Sequence, residues 1–165
     1  MTRPRRTLRA PGPDALADFR CACATARQVA RVLTQLYDSR LRDSGLEAPQ
    51  FALMMALARQ GPCSQVAIGR RHALDKTTVS RNLKLLERNG WIDVSVAADR
   101  RERQFRLTPA GRARVAAAKP LWKKAQDELR STMTTGQWDA VFRAFTTVTE
   151  AAQRIQGESK PKTRK

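Results

Sequence analysis

The apolar positions of this chain follow two different periods, and the change between them outlines the architecture. From Asp14 to about Leu41, apolar residues recur at three- and four-residue steps (Leu16, Phe19, Cys23, Ala26, Ala30, Leu33, Tyr37, Leu41), the repeat of an amphipathic helix. "DSGLEAP" interrupts it. Pro49 then stands where a first helical residue would, and Gly61 where a helix would stop, which frames a second helix of about a dozen residues. Ser64 is placed to cap a short third helix, "QVAIGRRH". A fourth lies in "DKTTVSRNLKLLERNGWI", with Asp75 as N-cap and Leu74 set to pack on Val79 as a hydrophobic staple. Asn89-Gly90 ends that helix and lets Trp91 fold back on Leu86.

After Gly90 the period drops to two. Ile92, Val94 and Val96 alternate with Asp93 and Ser95, and Phe105 and Leu107 alternate again after the polar "AADRRER", so a β-hairpin with a basic tip is expected. "LTPAG" restarts the helix with Thr108 as cap and Pro109 in the first position. This helix should run to about Met133 and bend near Pro120, which cannot donate to the carbonyl one turn earlier. A last helix, from about Thr135 to Ile155, carries Trp138, Phe142, Phe145, Val148 and Ala152 on one stripe. The expected fold is therefore mainly α, in the order α-α-α-α-β-β-α-α. Residues 46–108 would form a winged helix-turn-helix, and 14–45 and 109–156 long flanking helices. Residues 1–13 and 157–165 would be disordered basic ends.

Charge sharpens this picture. The chain has 165 residues with 41% hydrophobic and 28% charged positions, ordinary for a globular protein, yet its formal net charge is +17 and its pI near 11.4. Such an excess points to a polyanionic partner. Arg3, Arg5, Arg6 and Arg9 crowd the start without an acid, and Lys160, Lys162, Arg164 and Lys165 crowd the end against Glu158. The longest apolar runs, such as "FALMMALA" at 51–58, are too short for a membrane span, and the N-terminus lacks a signal-peptide core. A cytoplasmic protein with no membrane partner is expected. Three cysteines are an odd number without metal-ligand spacing, so no disulfide framework, metal or cofactor is implied. No glycine-rich phosphate loop, HExxH or nucleophile elbow is present, which argues against an enzyme.

The fourth helix carries the most specific chemistry. At roughly 100° per residue, Thr77, Arg81, Lys84 and Arg88 share one face, while Val79, Leu83 and Leu86 share the opposite one. Lys76, Thr78 and Ser80 flank the strip near its N-terminal end. An α-helix fits the major groove of B-DNA, where Arg bonds guanine bidentately and Thr or Ser serves base edges or phosphates. A polar face alone would signify only solvent, but this one holds no acid, and a basic hairpin follows it. Arg100, Arg101 and Arg103 near that tip would repel one another without an anion nearby, and a narrow minor groove attracts inserted arginines. Asp99 is placed to brace one guanidinium.

These stretches resemble the MarR (multiple antibiotic resistance regulator) family of bacterial winged helix-turn-helix repressors, over about residues 14 to 155. The resemblance rests on "GLEAPQFALMMAL", "DKTTVSRNLKLLERNGWI", the wing "ADRRERQFRLTPAGR" and the flanking long helices. It implies Thr77, Thr78, Ser80 and Arg81 as DNA contacts, Arg101 beside Asp99 as the minor-groove residue, and Arg100 and Arg103 on phosphate. It also implies an obligate homodimer built from the first, fifth and sixth helices, on double-stranded DNA. A phenolic, aromatic-acid or acyl effector is implied as well, or else oxidant sensing through cysteine. The large apolar stripes of the first and last helices support the dimer independently.

Other residues admit quieter readings. Tyr37, Met54, Met55 and Trp122 could line an effector pocket, though helical spacing fits core equally well. Cys21 and Cys23, two apart on a helix, should point to different sides and serve as small interface residues, with Cys63 the more exposed thiol. His72 ends the third helix, where a charged imidazole suits the dipole. Two functions follow: a ligand-responsive, sequence-specific repressor of a palindromic operator, or an architectural nucleic-acid-binding protein of the nucleoid or ribosome. Cysteine-based redox regulation is a variant of the first.

Overall fold

A computed structural model of the chain describes residues 21–96 and 103–158. Helix α1 (Ala22–Leu41) ends in a 3-10 turn at Arg42–Ser44, and α2 (Ala48–Gln60) follows. A two-residue strand, β1 (Cys63–Ser64), precedes α3 (Gln65–His72) and α4 (Lys76–Arg88). The hairpin consists of β2 (Ile92–Val96) and β3 (Arg103–Leu107); α5 (Pro109–Ser131) and α6 (Thr135–Glu158) complete the order. This is the winged helix-turn-helix expected from the periodicity, with β1 added. A two-residue strand leaves no alternation to read, and it exists because Cys63 and Ser64 pair antiparallel with Phe105 and Gln104 of β3. Strand β3 is thereby central in a sheet of order β1-β3-β2.

Local chemistry explains the boundaries. Helix α2 starts at Ala48, one residue before the proline, because Glu47 and Gln50 form a capping box and Asp38 of α1 accepts from the Ala48 N–H at 2.7 Å. Ser64 caps α3 through the Ala67 N–H, and Asp75 caps α4 through the Thr78 N–H. Helix α4 closes in a Schellman motif: Gly90 takes φ +69, its N–H bonds the Glu87 carbonyl, and the Trp91 N–H bonds that of Leu86 at 3.0 Å. Thr108 caps α5 through the Gly111 N–H and also donates to the Gly90 carbonyl. Two ends differ from expectation: α5 stops at Ser131, and α6 continues through Gly157 to Glu158, where the sequence suggested a tail.

The chain divides into two compact units after Ala118, beside Pro120, which lies within the continuous helix α5. The first unit holds most of the core. Leu41, Leu46, Phe51, Leu53, Met54, Leu57, Ile68, Val79, Leu83, Leu86, Ile92, Phe105 and Leu107 are all at most 6% exposed. In the second unit Ala125 is buried and Trp138 meets Phe142 edge to face at 5.2 Å. Phe142, Phe145 and Val148 of α6 remain substantially exposed.

Candidate nucleic-acid interface

The site begins with the turn between α3 and α4. Ala73 adopts a left-handed conformation (φ 49), and the Leu74 N–H returns to the Gly69 carbonyl at 3.0 Å. Gly69 is needed there, because a Cβ would stand 3.1 Å from the Leu74 carbonyl oxygen. Gln65, at the start of α3, donates to the Lys76 carbonyl at 3.0 Å and ties the first turns of the two helices together. These contacts fix the angle at which α4 is presented.

On α4 itself the two faces separate cleanly. Val79, Leu83 and Leu86 are at most 1% exposed, whereas Lys76, Thr77, Arg81, Lys84 and Arg88 are exposed. Thr78 and Ser80 are half-buried. The Thr78 hydroxyl donates to Asp75 at 2.6 Å, and together with the Thr78 N–H it holds the Asp75 carboxyl below its usual range. That hydroxyl is thus engaged at the cap, and its remaining capacity is as an acceptor. The strip forms one wall of an open groove of about 1240 Å³, whose other wall is Glu47, Pro49, Gln50, Ala52 and Leu53 from α2. Four cations against one carboxylate make the groove a place for an anion.

The hairpin contributes differently from what the sequence suggested. Asp99, Arg100 and Arg101 lie outside the described residues. Arg103 is the first residue of β3, 3.7 Å from Glu87 of α4 and 5.7 Å from the Phe105 ring centroid. It braces the hairpin against the recognition helix. The periodicity contains no signal for this pair, since Glu87 and Arg103 look like two unrelated solvent charges until β3 folds back.

The suggested effector residues do not line the groove. Met54 is fully buried core, and Met55 and Tyr37 are half-buried, with burial raising the Tyr37 phenol. Trp122 belongs to the second unit. Cysteine exposures reverse the expectation: Cys23 is exposed, while Cys63 is partly buried because its strand pairs with β3. Burial pushes the Cys63 thiol up, against the opposing pull of Arg71. Cys21 is the N-cap of α1 with extended backbone (φ -104, ψ 111), so the opposed orientation expected for two cysteines within a helix does not apply. His72 also departs from expectation. Burial first, and Arg71 second, lower its pKa, and its Nε2 atom is buried with no hydrogen-bond partner among the described residues, so the neutral ring is favoured.

Known proteins share this arrangement. The sequence model of the MarR family matches residues 44–102, from the turn before α2 to the hairpin. An uncharacterized HTH-type transcriptional regulator of Bacillus subtilis (strain 168), YwoH, is 32% identical over 81 residues. That match spans 49% of this chain and only 59% of the relative. The M. tuberculosis transcriptional regulator MosR, solved in complex with DNA, is 34% identical with a TM-score of 0.75, covering 82% of this chain and 98% of MosR. BpsR of Bordetella bronchiseptica, whose DNA binding is regulated by 6-hydroxynicotinic acid, is 26% identical with a TM-score of 0.71, covering 79% of this chain and 94% of BpsR. With the winged helix-turn-helix in place and a relative of this identity aligned over nearly its whole length, the chain belongs to the MarR family of transcriptional regulators.

Proposed function

We propose that the chain is a homodimeric, sequence-reading DNA-binding regulator that represses from a palindromic operator and is released by a small aromatic or acyl compound. The observation that carries this reading is the exposed face of α4, where Lys76, Thr77, Arg81, Lys84 and Arg88 stand together above a groove while the opposite face is sealed in the core. That geometry suits a helix inserted in a major groove: Arg81 and Thr77 reach base edges, and Lys84 and Arg88 neutralise phosphates. Asp99, Arg100 and Arg101 complete the contact at the wing in this reading, and Arg103 supports it. Exposed Phe142, Phe145 and Val148 on α6 and Val32 on α1 supply the apolar surface for a second copy. A hydroxylated aromatic acid regulates DNA binding by BpsR, which makes that class the first to screen.

The test is selection of bound sites from random duplex DNA by the purified full chain, at physiological salt with excess nonspecific competitor. A pseudo-palindrome with half-sites about one helical turn apart is expected. Tight binding with no enriched sequence, and a specificity ratio near one, would replace this reading with architectural binding. The selected duplex then serves as the probe for release by 6-hydroxynicotinate and simple benzoates.

A further inference from the structure

Three segments that are distant in sequence converge on the side chain of Arg114, in the second turn of α5. Its Nη1 donates to the Ser44 carbonyl at 2.8 Å, in the corner between α1 and α2. Its guanidinium carbon lies 5.2 Å from the centroid of the Trp91 ring, within range of a cation–π contact. No carboxylate pairs with it among the described residues. Ser44 is itself buried and fixed, since its hydroxyl donates to the Leu41 carbonyl at the end of α1 and accepts from the Leu46 N–H.

Trp91 is held just as firmly. Its N–H closes the end of α4 on Leu86, and its carbonyl accepts from the Thr108 N–H at 3.1 Å. Gly111, one turn before Arg114, lies so close that a Cβ would stand 1.9 Å from that same carbonyl oxygen. The last turn of the recognition helix is therefore clamped to the start of α5, and Arg114 adds the anchor to α1. A planar guanidinium can stack on a ring and donate in its own plane at once; an ammonium on a flexible stem does one or the other.

We infer that Arg114 is a positioning residue for operator reading: it fixes the angle of α4 against α1 and α5, and so sets the separation of the two reading helices in the dimer. This rests on the homodimeric reading above. Arg114 touches none of the strip residues among its described contacts, so its removal leaves the chemistry of a single head intact. What changes is how accurately two heads match two half-sites.

The experiment compares the wild-type chain with Arg114→Met and Arg114→Lys on three duplexes. These are the selected palindrome, a duplex keeping one half-site, and palindromes with half-sites moved apart by about one or two base pairs. Arg114→Met should lose about tenfold on the palindrome and little on the single half-site, and it should penalise the altered spacings less than the wild type does. Arg114→Lys, which keeps a cation and a donor, should fall between the two and serves as the test if the methionine variant does not fold. Equal losses on half-site and palindrome, or no loss on either, would overturn the inference. Sedimentation of the wild type separates the two levels. A monomer would remove the dimer reading and this inference with it, whereas a dimer whose variants keep the wild-type ratio overturns the inference alone.

Discussion

Helices α4 and α6 are built on the same pattern and end in opposite circumstances. Each carries an apolar stripe along one side and polar residues on the other. In α4 the stripe is sealed, with Val79 and Leu86 at 0% and Leu83 at 1% exposure, and the polar face looks outward. In α6 the stripe itself is outward, with Phe142 and Val148 each 51% and Phe145 44% exposed. Amphipathic spacing thus establishes that a helix has two faces, and only tertiary packing decides which face is already satisfied. The surface left over indicates the partner: cations and hydroxyls for a polyanion on α4, phenyl rings and a valine for an apolar surface on α6.

The sharpest way to break the comparison is to make the outward face of α6 polar. Phe142→Asp combined with Phe145→Asp should give a monomer by sedimentation and lower affinity for the selected palindrome by about a hundredfold or more, because the second head no longer binds intramolecularly. Persistence of the dimer would show that the α6 stripe is not the interface. Glycines give the next contrast. Gly111→Ala drives a methyl into the Trp91 backbone, which cannot swing aside, and should cost about 3 kcal/mol in urea unfolding. Gly136→Ala in the first turn of α6 meets nothing within 4 Å and should be neutral or stabilising by up to about 1 kcal/mol. Comparable losses at the two sites would contradict the difference in packing. On α4, Arg81→Ala should cost about 1–3 kcal/mol on the selected duplex and much less on random DNA. Lys84→Gln should weaken both alike and reduce the slope of log affinity against log salt by about 0.9. If Arg81→Ala weakens both DNAs equally, it contacts phosphate and not base.

Elements set by local rules were the legible ones. Ser64, Asp75 and Thr108 cap the helices the periodicity placed after them, and Asn89-Gly90 ends α4 in the turn its composition demanded. The cation strip could be read for the same reason, since a helix of known phase fixes which residues share a face. Features made by distant segments could not be read. Strand β1 exists only through its pairing with β3, and the Arg103–Glu87 and Arg114–Trp91 contacts join residues with no shared period. Thr78 was half legible: its place on α4 was right, but its hydroxyl serves Asp75 at the cap. His72 was misjudged for a related reason. Its position at a helix end favours a charged ring, while its burial, which no linear pattern reports, favours a neutral one.

That competition gives the prediction of smallest effect, and the cleanest one to measure. His72 ends α3, where the dipole would stabilise an imidazolium, yet its Nε2 is buried without a partner and Arg71 stands nearby. The folded chain therefore binds the proton less readily than the unfolded chain, whose imidazole titrates near 6.5. Above that pH neither state is protonated and the group is silent. As pH falls below it, the unfolded state takes up the proton first, so stability declines until the folded pKa is passed. Urea unfolding from about pH 7.5 to about pH 5.5 should thus show a loss in the wild type that His72→Gln reduces. His72 is the sole histidine, so its ring signals can be followed by NMR without assignment. A midpoint below 6.5 means that closure of the head against water outweighs the helix dipole. A midpoint at or above it means that the dipole wins, and that the turn leading into the recognition helix is more open to solvent than its buried nitrogen indicates.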